Sequence, residues 1–280
     1  MGENFGLFKS FGDKLFEGET PTNLGLIGST SLNDSDVTAF FNRVTAAGGT
    51  LTATEQEAIN TLVFQLKAAG AWTGMKVIYP MVGSSAAACA QNLRSASFTG
   101  TFTSGWTFAS TGVTPNGTSA YMDTFYNSSI DGNLNDGFIG TYLRTNSVGS
   151  PHCDFGNYNA STSAITIYAR FNDSQIATWN DVNDTIFSTT DSRGWRFANR
   201  NSATTKNVGI NTTVSSRLAP VVAAINAKIY LSALSTNGSP SQYSNRECAF
   251  ACIGNGLTDT QATNLYTAIQ TFQTTLSRQV

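Results

Sequence analysis

The hydrophobic period of this chain changes near residue 76, from 3.6 residues before it to 2 after it. On the helical side, "NDSDVTAFFNRVTAAGG" puts Val37, Phe40, Phe41 and Val44 on one stripe, opening at Asn33 or Asp34 as N-cap and closing at Gly48-Gly49. "TATEQEAINTLVFQLKAAG" follows, with Thr54 and Glu57 at capping-box spacing. Its stripe is Ile59, Leu62, Val63 and Leu66, and Gly70 stops it. Two helices of this length cannot bury both stripes alone. They must pack on the domain that follows or on copies of themselves.

Past the switch, "AITIYARF" alternates Ile165, Ile167, Ala169 and Phe171 against Thr166, Tyr168 and Arg170, and "KIYLSAL" alternates Ile229, Leu231 and Ala233. "SAYMDTFY", "GFIGTYLRT", "DTIFSTT", "GWRFANR" and "NVGIN" are further short runs between Asn, Gly, Asp and Ser clusters. Many short strands at such spacing predict a sandwich or barrel. A last helix opens with Thr258 and Gln261 as capping box and carries Ala262, Leu265, Tyr266, Ile269, Phe272 and Leu276 as its stripe. The expected organisation is a leader over residues 1–31, a helical hairpin over 32–75, and a mainly β sandwich with a terminal helix over 76–280.

Charged residues make up only 12% of the chain, about half the usual share; Ser, Thr, Asn and Gly stand in their place. Such surfaces are common on extracellular β proteins and virus particles. The formal net charge is -2 with no Lys/Arg run, which sets nucleic-acid binding aside. No window approaches the roughly 18 consecutive apolar residues of a membrane span. "MGENFGLFKSFGDKLF" lacks an apolar signal region and the sixth-position Ser or Thr of a myristoylation signal. These readings predict synthesis in a cytoplasm without the usual export route. A virion component released by lysis satisfies both observations, and so does a cytosolic protein of unusual composition.

The leader spaces Phe5, Phe8, Phe11, Leu15 and Phe16 by three and four, as one face of a short helix does. That face could pack on its own domain or anchor the chain in a partner protein. Lys9 and Lys14 alone are too little positive charge for a membrane-surface helix. Pro21 and Gly25 then make "EGETPTNLGLIGS" an extended connector.

Three phrases, taken in order, resemble the concanavalin-like, laminin-G-like jelly-roll family. "TPNGTSAYMDT" resembles its opening strand, "DTIFSTTDSRGWRFANRN" its strand pair around a turn, and "SNRECAFACIGNGLTDTQATNLYTAI" its closing strand and helix. "LTDTQATNLYTAIQTFQTTLSRQV" and "INTLVFQLKAAGAWTGMKVIYPMVG" also resemble stretches of head- or tail-associated fibre proteins of tailed bacteriophages. The resemblance implies a virion appendage, often trimeric and often sugar-binding; the expected partners are other virion proteins, copies of the same chain and host-surface glycans, and no catalysis is expected. The rivals are a carbohydrate-active enzyme or stand-alone lectin module, and a purely structural capsid protein without ligand.

The candidate chemistry is sparse. In "ECAFACI", Cys248, Phe250 and Cys252 are expected on one strand face, with Ala249 and Ala251 on the other. Cysteines four apart on a strand lie about 13 Å apart, too far for a shared zinc or a disulfide, so they read as core. A Cys89–Cys153 disulfide is open, although a cytoplasmic origin argues for thiols. His152 is the only histidine and sits in a loop-like segment; adjacent strand residues point apart, against a dyad with Cys153. No closely spaced carboxylate run of the kind glycosidases use occurs.

No cofactor is expected, Ca²⁺ being the one ion the loops could take: Asp131, Asp136, Asp173, Asp181 and Asp184 stand in Asn/Gly-rich stretches, where turn capping is the plainer reading. For a glycan, an aromatic face covers the apolar side of a pyranose while amides read its hydroxyls. Tyr158 beside Asn157 and Asn159, Trp179 beside Asn180, and Tyr243 beside Asn245 are the candidates, with core packing the alternative for Trp179. Arg196, with Arg193 and Arg200 around Trp195, could meet acidic sugars or brace a subunit contact.

Overall fold

Alternation after residue 76 builds two sheets. In the computed structural model, which describes residues 34–148, 151–159, 163–181, 185–219 and 222–280, Ser35–Val280 makes one compact unit. One sheet runs β13 (Thr213–Leu218), β12 (Thr205–Ile210), β11 (Gly194–Arg200), β6 (Gly137–Leu143), β17 (Cys248–Gly254), β4 (Gly112–Pro115), β3 (Trp106–Ala109), with β1 (Met75–Tyr79) also on β17. The other runs β10 (Thr185–Ser188), β9 (Ser174–Asp181), β8 (Ala164–Phe171), β7 (Phe155–Tyr158), β14 (Lys228–Leu231), β5 (Met122–Asn127), β2 (Thr101–Phe102). Among the described residues the named strands pair antiparallel except at β15 (Leu234–Thr236), which lies parallel to β7 and pairs antiparallel with β16 (Ser239–Ser241). The molecule is a mainly β sandwich, as the strand spacing predicts, of the jelly-roll type that the resemblance implies.

Two apolar clusters hold it. Between the sheets lie Val77, Ile139, Phe155, Ile165, Ile167, Trp179, Ile229, Leu231 and Ile253. On the outer face of the first sheet, Phe138, Tyr142, Trp195 and Phe250 meet the helices α1 (Ser35–Ala46), α2 (Ala53–Ala68) and α4 (Asp259–Thr275). A single turn, α3 (Ala86–Cys89), is capped by Ser85. The helices answer with Phe40, Leu62, Leu66, Leu265, Ile269 and Phe272, each side chain contributing about 1.5–3 kcal/mol by leaving water. The hairpin therefore buries its stripes on the sandwich.

Two local expectations are corrected. The capping box of α2 is Thr52 with Glu55, not Thr54 with Glu57. The chosen pair gains a tertiary bond: Glu55 Oε1 also accepts from the Gly83 N–H at 2.7 Å. In β17, the pairing to β6 slips between Cys248 and Phe250, a bulge that flips every side chain before it relative to those after. Cys248 consequently faces the inter-sheet core with Ala251 and Ile253, while Phe250 and Cys252 face the helices with Ala249. The three residues do not share a face.

Candidate functional site

At the β11–β12–β13 end of the first sheet the helical cover stops, and a groove of about 340 Å³ opens between the strands and α4. Its floor is two cross-strand rows. Antiparallel register sets Asn199 opposite Asn207 and Asn207 opposite Ser216, a row of amides and a hydroxyl. The next row is Phe197, Gly209 and Val214, apolar. Asn211 and Thr212 of the β12–β13 turn close one end, and Asp259, Ala262, Thr263 and Tyr266 on the first turns of α4 form the wall.

Gly209 is required by this packing: a Cβ there would stand 2.2 Å from the Phe197 ring. Without it the ring lies across β12 and stacks toward Phe138 at 5.7 Å, so the apolar row is anchored in the helical core. Position along α4 is set from the sheet. Asn199 donates from Nδ2 to the Leu257 carbonyl and accepts the Leu257 N–H, both at 2.8 Å. Asn201 donates to the same carbonyl at 2.7 Å, and the predicted Thr258–Gln261 capping box starts the helix there. Asn207 Nδ2 donates to Asp259 Oδ1 at 3.1 Å, bridging floor to wall. Asn211 accepts the Trp195 N–H on Oδ1 at 2.9 Å, and its Nδ2 has no hydrogen-bond partner among the described residues. Phe197 and Asn199 are buried, so the groove presents Val214, Ala262 and Tyr266 as its apolar side and Asn207, Asn211 and Ser216 as its polar side, with Asn207 held by Asp259 and Asn211 by the Trp195 N–H.

The residues singled out in the sequence lie elsewhere. Trp179 is fully buried between the sheets, packed against the backbone of Gly137. Arg196 is likewise buried, donating to Gln175 Oε1 at 3.1 Å and to the Asp191 and Arg193 carbonyls. Neither offers a face to solvent, which corrects their reading as ligand contacts. For Arg196 alternation explains it: on β11 the even positions point between the sheets and the odd ones, such as Trp195 and Phe197, point to the other face. Tyr158 and Tyr243 are half-buried. Tyr158 ends β7 and Tyr243 bridges to Cys153 before its other end, about 16 Å away by strand rise, so the fold does not bring them together. Phe5, Phe8, Phe11 and Phe16 lie outside the described residues.

The remaining polar candidates have structural employment. Asp131 accepts from the Asn127 N–H at 2.8 Å and Asp136 from the Gly256 N–H at 2.6 Å. Asp173 pairs with Arg170 at 2.6 Å, and Asp181 with the buried Lys206 at 2.8 Å; Asp184 lies outside the described residues. Among the described residues no three His, Cys, Asp or Glu side chains gather as a metal site would need. All four cysteines are buried thiols, and burial pushes those of Cys89 and Cys248 up to about 12. Burial, then the nearby Arg246, holds His152 below its ordinary value. Beside it, Arg246 donates from Nη1 to both oxygens of Asp154 at 3.0 and 2.8 Å, and from Nη2 to the Ser147 and Arg170 carbonyls, a buried staple between loops.

No protein-family model matches the chain, and no curated protein does. Among solved structures, domain 4 of AbnA, a GH43 extracellular arabinanase from Geobacillus stearothermophilus in complex with arabinotriose, is similar at 13% identity and TM-score 0.48, over 69% of this chain and 98% of that one. Domains LG4-5 of the mouse laminin alpha1 chain are similar at 16% identity and TM-score 0.35, over 55% of this chain and 40% of that one. Trypanosoma rangeli sialidase in complex with sialic acid follows at 6% identity and TM-score 0.47, over 75% and 38%.

Proposed function

We propose that this chain is a non-catalytic glycan-binding sandwich, carried on a tailed-bacteriophage virion as a head- or tail-associated fibre or decoration. The observation that carries the binding half is the paired floor of the groove, apolar at Val214 and polar at Asn207 and Ser216, with Phe197 and Asn199 buried and Tyr266 on the wall. A sugar ring has an apolar face and a rim of hydroxyls, and this floor offers one strip to each. The size sits at the low end of small-molecule sites, which run from roughly 300 Å³, and suits a mono- or disaccharide. Several described carboxylates outside the groove are engaged in ion pairs, such as Glu247 with Arg144 at 2.9 Å and Asp123 with Lys228 at 3.0 Å. That pattern favours binding over hydrolysis.

The virion half rests on the phage-like phrases in the sequence and on the surface rich in hydroxyls and amides. In this reading residues 1–31 attach the chain to the particle, and several copies raise avidity without a strong single site. A glycan array with the full-length protein tests the first half: binding that Asn207→Ala weakens about tenfold supports it, and an array without signal contradicts it. Light scattering that finds a stable monomer, or particles that incorporate a chain lacking residues 1–31 normally, would count against the second half.

A further inference from the structure

We infer that the groove selects uncharged glycans, built of hexose or N-acetylhexosamine units, over sialylated or uronic ones; this rests on the glycan-binding reading of the same groove. Among the described residues, Asp259 is the one charged side chain lining it. The carboxylate is solvent-exposed, and the 3.1 Å bond from Asn207 fixes it at the junction of floor and wall. A ligand carboxylate entering there meets a fixed like charge.

The cations of the same strands are turned away. Arg196 and Arg200 of β11 alternate with the groove residues and donate between the sheets, Arg200 to the Asn180 and Ala219 carbonyls at 2.7 and 2.9 Å. Lys206 of β12 is buried against Asp181 and Thr178, at 2.8 and 2.7 Å. Arg217 of β13 is the register partner of Lys206 and so shares its side of the sheet, not the groove side. The start of α4 would ordinarily attract an anion. Here Asp259 places a carboxylate in that first turn, and the Thr258 hydroxyl accepts the Gln261 N–H at 3.2 Å.

An immobilised array carrying neutral oligosaccharides beside their sialylated or uronic counterparts tests this with the full chain. At low ionic strength each acidic member should bind at least tenfold more weakly than its neutral pair. The gap should narrow as salt rises past about 0.15 M, where screening acts within about 8 Å. Asp259→Asn should bring the pairs within about threefold. Acidic glycans binding as tightly as neutral ones, or a gap that ignores both salt and the variant, would overturn the selectivity while leaving the groove a glycan site. Silence across the whole array would overturn both.

Discussion

The two halves of one sheet face are treated differently. Over β6 and β17 the outer face is Phe138, Tyr142, Phe250 and Cys252, and three helices cover it. Over β12 and β13 the same face is Asn207, Ser216 and Val214, and nothing among the described residues lies on it beyond the edge of α4. Helical cover follows apolar area, because burying it is what stabilises the helices. The uncovered half is not simply surface: Phe197 and Tyr266 reach it from the covered side, and its amides are held rather than free. A polar strip with an aromatic border, left open beside a well-packed core, is a built recess.

Substitutions can break that contrast in graded steps. The largest effect belongs to the covered half: Phe250→Ala removes ring contacts to Trp195 and Phe272 at 6.2 and 6.1 Å and should cost about 3–5 kcal/mol in denaturant unfolding. Gly209→Ala lies on the boundary, where the added methyl collides with the Phe197 ring. It should cost about 1–3 kcal/mol and abolish glycan binding as well, a double effect that no purely structural role for the groove predicts. Asn207→Ala acts on the open half alone. Stability should change by less than about 1 kcal/mol, while glycan affinity falls about tenfold, roughly 1.4 kcal/mol.

The smallest effect sharpens the account of the sheet interior. Burial pushes the Cys89 and Cys248 thiols up to about 12 from an ordinary 9. Between those values the folded chain holds protons that the unfolded chain has lost, so stability falls as pH rises through that window. The loss should reach about 1 kcal/mol per thiol by pH 9.5, and Cys89→Ala should flatten the slope. In the native protein near pH 8 none of the four thiols should react with a thiol reagent, and all four should in guanidinium.

Much of the architecture was legible in the sequence, and the site was not. The change of period located the helices and strands, and the spacing of Thr258 and Gln261 fixed the start of α4. Ambiguity arose where two local solutions competed. Thr52–Glu55 and Thr54–Glu57 have identical spacing, and only the bond to Gly83 separates them. A bulge is invisible to period, so period alone puts Cys248 on the face of Phe250. The groove draws on β11, β12, β13 and a helix some forty residues later in the chain; it exists only once register sets Asn199, Asn207 and Ser216 side by side. Trp179 and Arg196 misled because their neighbours suit a binding loop, whereas strand alternation had already turned both inward.

Chemical-shift mapping of the isotopically labelled chain, titrated with a neutral oligosaccharide that it binds on the array, tests the central claim most directly. Shifts confined to Asn199, Asn207, Asn211, Val214 and the first turns of α4 are the predicted result. Shifts centred on Tyr158 or Tyr243, with the groove unmoved, would contradict it.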